Sequence, residues 1–180
     1  MEIKDLQYLI NQGEGLRIEF KDARDSVPSS FYETVVSFSN TDGGTILLGV
    51  DDNGILKGID PDAEVSLMKN IITALNSKDC IDPPVYVEPF CIQQQVGKVM
   101  VIQIPASSQI HNHSGTIYSR NFESDLDITK NQQRLSDLYL RKRNFFTEAI
   151  IYEHLSMADL DDNLFDKVFK LIRNIKSDHP

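Results

Sequence analysis

Residues 14–58 read EGLRIEFKDARDSVPSSFYETVVSFSNTDGGTILLGVDDNGILKG. Leu16, Ile18 and Phe20 alternate with Arg17, Glu19 and Lys21. That period of two predicts a half-buried strand. Ser26-Val27-Pro28 opens a helix, with Pro28 in its first turn. Its apolar residues Phe31, Tyr32, Val35, Val36 and Phe38 run to Asn40, and Asp42-Gly43-Gly44 ends it. The run Ile46, Leu47, Leu48 predicts a buried strand over 45–50. Asp52-Asn53-Gly54 predicts a tight hairpin turn, because Asn-Gly tolerates the positive φ such turns need. Residues 55–59 are then expected to return as the partner strand.

Outward from this stretch, a helix is expected over 2–11, with Ile3, Leu6, Leu9 and Ile10 on one face and Gly13 and Gly15 behind it. Pro61 opens another, carrying Val65, Met68, Ile71, Ile72 and Leu75 at helical spacing through Asn76. Strands are predicted over 85–92 and 98–104, joined near Gln95-Val96-Gly97. Residues 105–115 read as a polar loop, and Ile117 and Tyr118 as a short strand. Thr129 is a candidate cap for a helix over 130–142, with Leu135, Leu138 and Tyr139 inward. From Asn144 the tail reads as helical over 145–155 and 159–176, the latter striped by Leu160, Leu164, Val168, Leu171, Ile172 and Ile175. The order predicts an α+β fold, a mixed or antiparallel sheet flanked by helices. The expected organisation is a core domain over 1–143 and a helical connector over 144–180 leading to further modules.

The chain has 180 residues, 41% hydrophobic and 25% charged, which suits one globular domain with an appendage. It is long enough to bury a core without metals or disulfides. No apolar run reaches the ~20 residues of a membrane span, and MEIKDLQYLI lacks a signal-peptide pattern. A cytoplasmic protein is the expectation. Cys80 and Cys91 lie in unlike contexts, which argues against a disulfide scaffold or a cysteine zinc site. The net charge of −9 argues against tight, non-specific duplex binding, which rests on phosphate neutralisation. The acid excess is concentrated in residues 1–60.

Glu14 and Glu19 flank the start of the first strand, and Asp52 follows the second. Were those strands neighbours, the three carboxylates would converge into hard oxygen ligands for Mg²⁺ or Mn²⁺. Alternatively, Glu14 is a solvated loop acid, Glu19 pairs with Lys21, and Asp52 makes the turn. Gly43-Gly44 follows a helix and precedes a strand, the reverse of a phosphate loop, so a helix C-cap is the reading preferred. His111-Asn112-His113 reads as solvent loop. No P-loop, G-x-S-x-G or H-E-x-x-H pattern occurs, so nucleotide hydrolysis, serine-hydrolase and zinc-protease chemistry have no support. Arg120, Lys130, Arg134, Arg141, Lys142 and Arg143 form the main basic group. With Arg17, Lys21 and Arg24 they are candidates for a phosphate-contacting face, or else an ordinary solvated surface.

The ordered combination EGLRIEFK, SFSNTDGG and TILLGVDDNGILKG resembles the Schlafen AlbA-type domain, found at the head of bacterial transcriptional regulators. The resemblance covers residues 1–143. The family's Tyr-x-Arg element is matched by Tyr118-Ser119-Arg120, and Asn121-Phe122-Glu123 stands where relatives usually carry a Gly. The resemblance implies an α/β fold that binds DNA or RNA, with Arg17, Lys21, Arg24, Arg120, Arg134 and Arg141 on phosphates. Some animal members are metal-dependent endoribonucleases. Their three acids fall on Glu14, Glu19 and Asp52, which would hold Mg²⁺ or Mn²⁺, and the adjacent lysine on Lys21. Those enzymes pair two lobes, so a single lobe is expected to act as a homodimer. A protein-assembly module remains the third reading.

Overall fold

A computed structural model describes residues 3–143. The chain divides into two units, Met1–Asn144 and Phe145–Pro180. The expected tail helices lie outside the described residues.

Four strands form a mixed sheet in the order β1-β2-β5-β4. β1 (Ile18–Lys21) runs parallel to β2 (Gly44–Leu48), and α2 (Ser30–Asn40) makes the crossover between them. β5 (Gly97–Ile104) lies antiparallel to β2 on one side and to β4 (Phe90–Gln94) on the other. Alternation along the strands divides the core. Ile46, Leu48, Met100, Ile102 and Ile104 pack with α2 and α3 (Glu64–Leu75). Ile18, Phe20, Leu47, Val99 and Val101 face the other way and pack with Leu6, Leu9 and Ile10 of α1 (Ile3–Gln12). In register, Glu19 stands opposite Ile46 and Lys21 opposite Leu48. Both therefore project toward the α2 side.

Several boundaries differ from the sequence reading. Leu16 is 58% exposed and precedes β1, because Gly15 N–H bonds Ile18 O and turns the chain there. The expected strand over 55–59 is reduced to single bridges, Val50 to Leu56 and Ile59 to Lys98. Gly49 and Gly58, with φ of +89° and +74°, leave the extended region and press against each other. The Asp52-Asn53-Gly54 turn itself is present, closed by Asp51 accepting from Asn53 N and Ile55 N. The strand expected over 85–92 begins only at Phe90.

Residues 105–115 are no solvent loop. They carry β6 (Asn112–His113), paired with β3 (Ile81–Asp82). The Asn40 side chain, at the end of α2, bonds His111 O, His111 N and Tyr118 O. His111 is buried, with Nδ1 on Pro83 O, and burial lowers its pKa. His113 bonds Cys80 O and stacks on Tyr32. β7 (Tyr118–Asn121) and β8 (Ser124–Asp127) form a hairpin against α2. α4 (Gln132–Arg143) is capped by Asn131, which accepts from Arg134 N, rather than by Thr129. Thr129 instead accepts from Ile117 N. On α4, Leu138 is buried but Tyr139 is 54% exposed.

Gly43-Gly44 closes α2 as a C-cap: Gly43, at φ +73°, donates to Phe38 O. Gly44 has a packing role, since a Cβ there would lie 2.6 Å from the Phe38 ring. Gly44→Ala is therefore expected to destabilise the domain by about 1–3 kcal/mol through overpacking. Urea unfolding measures it, and an unchanged midpoint would show that Phe38 gives way freely.

Candidate nucleic-acid interface

The site is built around a buried guanidinium. Arg120 lies on β7 with its side chain 1% exposed. Nη2 bonds Glu19 Oε2 at 2.6 Å, and Nη1 bonds Asp125 Oδ1 at 2.8 Å. Nε and Nη2 both donate to Gly15 O, and Nη2 reaches Ile18 O at 3.4 Å. The plane lies over the Phe38 ring, 4.9 Å from its centroid. Asp125 stands opposite Arg120 across the hairpin and also accepts from the Thr34 and Ser37 hydroxyls of α2. Glu19 spends its other oxygen on the Lys21 ammonium. Two carboxylates and two cations thus form a compact, electroneutral cluster between β1, α2 and the hairpin.

This geometry reassigns two residues expected on phosphates. The Arg120 donors are all turned inward, and Lys21, 16% exposed at its side chain, is tied to Glu19. Hydrogen bonds to both flanking acids hold the Arg120 pKa above its ordinary value despite burial. Both residues act inside the fold. The sequence signal for the Arg120 partnership was faint: an acid five residues on, across an unrecognised hairpin.

Glu14 is held differently. Its Oε1 accepts from Phe20 N at 2.8 Å. The Phe20 N–H points away from β2, so Glu14 caps the open edge of β1. Burial raises the Glu14 pKa; the Phe20 bond opposes this, and the nearby charges of Glu19 and Asp52 add to the rise. Asp52 is exposed on the turn after β2. The acidic trio therefore shares one electrostatic neighbourhood, yet it does not fit a metal as it stands. Both Glu19 oxygens are taken by cations, and one Glu14 oxygen by backbone. Among the described residues no three His, Cys, Asp or Glu side chains are arranged to hold an ion.

The exposed cations fall into separate groups. Arg17, at the entry to β1, faces Asp42 at 4.0 Å, and both side chains are well exposed. A pair so long and solvated contributes little and is free to exchange partners. Nearby, the Lys142 ammonium is fixed by Ser39 O at 2.9 Å and by Ser107 O. It caps carbonyls at the end of α2, where a cation suits the helix dipole. Burial pulls its pKa down to about 8, with Asp42 opposing and Arg141 adding to the fall. Asp42 is thus a neighbouring charge of both Arg17 and Lys142, and Arg141 acts on Lys142 from the adjacent position of α4. Arg134 is exposed on the same helix, seven residues or about 10 Å from Arg141. Arg24 leaves β1 at its other end, so it does not join this group.

A mixed-sheet α+β domain with a buried Tyr-x-Arg arginine is the class so defined. The family model described as Schlafen, AlbA_2 matches residues 14–129, and the chain belongs to that family. No curated protein matches it closely. Among solved structures it is similar to the DIP2311 protein of Corynebacterium diphtheriae, at 16% identity and a TM-score of 0.48, over 69% of this chain and 29% of that one. It is also similar to the N-terminal domain of an ATP-dependent DNA helicase RecG-related protein from Nitrosomonas europaea. There the identity is 29% and the TM-score 0.46, over 59% of this chain and 74% of that one. No helix among the described residues is long and apolar enough to cross a membrane.

Glu14 provides a test of its structural role. Glu14→Gln keeps an oxygen for Phe20 N–H and removes the repulsion from Glu19 and Asp52. Glu14→Ala loses the bond. Because the folded pKa is raised, wild-type stability falls as pH climbs from the ordinary 4.5 through the raised value. The expected result is a Gln variant that melts at or above wild type, with a lead that grows across that pH window, and an Ala variant that melts below. A Gln variant as unstable as the Ala variant would contradict edge capping.

Proposed function

We propose that this domain binds nucleic acid through phosphate contacts from Arg17, beside Asp42, and from Arg134 and Arg141 on α4. The observation that supports the reading most is the exposed Arg17 at the entry to β1 of a chain with net charge −9, held only by a long, solvated pair with Asp42. Arg17 has only a weak, solvated partner to exchange for phosphate. Membership of the Schlafen, AlbA_2 family, whose resemblance implies nucleic-acid binding, supports it further. We read the domain as the binding part of a bacterial transcriptional regulator, acting as a cytoplasmic homodimer in which a second lobe completes the groove. Base selectivity must come from other contacts, since phosphates carry no sequence information directly.

Binding of labelled DNA and RNA is expected to weaken steeply with salt. Arg17→Gln and Arg141→Gln should each lower the slope of log affinity against log salt by about 1. Arg24→Gln, at the far end of β1, should leave it unchanged. Undetectable binding at low salt to either nucleic acid would defeat the proposal.

A further inference from the structure

Phe122 occupies the tip of the β7–β8 hairpin. Asn121 pairs with Ser124, so Phe122 and Glu123 alone make the loop. Phe122 adopts φ of +59°, a left-handed conformation that Gly enters freely and a bulky residue does not. It is 65% exposed and belongs to neither apolar core. Turn geometry disfavours this residue, and packing does not require it. An aromatic ring is nevertheless held out in water at some conformational cost.

Its support is rigid. Arg120, two residues back, is fixed to Asp125, and Asp125 is fixed to Thr34 and Ser37. The same guanidinium bonds the carbonyls of Gly15 and Ile18, which flank Arg17. The hairpin is therefore anchored at the entry to β1, the segment that carries the exposed Arg17. An aromatic plane next to a cation is the pairing that engages a single strand: the cation takes phosphate, and the ring stacks on an unpaired base. Glu123, adjacent to Phe122 and exposed, disfavours phosphate at the tip and leaves the base as the group to meet there. A duplex hides its base faces and gains nothing from such a ring.

Resting on the nucleic-acid reading above, we propose that Phe122 is a stacking platform for an unpaired base of a single-stranded nucleic acid whose phosphates lie on Arg17 and its neighbours. The probes are a fluorescein-labelled oligothymidylate and a labelled duplex, measured by anisotropy against wild type, Phe122→Gly and Phe122→Trp. Phe122→Gly suits the turn better, so it should melt no lower than wild type, yet bind the single strand about tenfold more weakly. Its affinity for duplex should not change, and Phe122→Trp should retain single-strand binding. Unchanged single-strand affinity in Phe122→Gly, an equal loss on both probes, or a lower melting temperature would overturn the platform while leaving phosphate binding intact. A wild-type protein that binds neither probe would remove both proposals together.

Discussion

One buried guanidinium determines how the pieces of this domain meet. Arg120 joins Glu19 on β1, Asp125 on β8 and two backbone carbonyls at the entry to β1, and it covers the Phe38 ring of α2. A charge this deep is tolerated because two carboxylates and a second cation neutralise it and its donors are matched to acceptors. An apolar replacement of the whole cluster need not be less stable. Removing one member is a different matter, because it leaves the others charged and buried. Gly44 belongs to the same arrangement, as it gives the Phe38 ring its room.

That arrangement bears directly on function. Glu19 is the carboxylate most enclosed in the acidic trio, and it is already served by Arg120 and Lys21. Glu14 closes a strand edge. Of the three acids, Glu19 holds β1 to the hairpin, Glu14 serves the β1 edge and Asp52 stands exposed on the turn after β2. The groups proposed above to meet a polyanion, Arg17, Arg141, Arg134 and Phe122, are all exposed. Electrostatics thus separates an inner set of charges that builds the fold from an outer set that can meet a ligand.

The main elements were legible because periodicity reports burial. The β1 alternation, the apolar runs of α2 and α3, and the Gly43-Gly44 stop all appear near their expected places. What escaped was structure held by polar groups. β8 reads Ser-Asp-Leu-Asp, which no hydrophobic pattern marks as a strand; it forms because Asp125 meets Arg120, Thr34 and Ser37. His111, next to β6, is ordered by the Asn40 side chain, a contact across some seventy residues, and His113 by Cys80 O and the Tyr32 ring. The site was half legible for the same reason. Sequence named the charged residues but could not say which faced inward, and so placed Arg120 and Lys21 on phosphate.

The most direct measurement is a double-mutant cycle on Glu19 and Arg120 by urea unfolding, using Glu19→Gln, Arg120→Met and both together. Each single change should cost about 3–5 kcal/mol, because each strands a buried charge. The double variant should cost far less than their sum, giving a coupling of about 2 kcal/mol or more. Additivity within about 0.5 kcal/mol would mean that the two side chains stabilise the domain independently, and the account of a single clasp would be wrong.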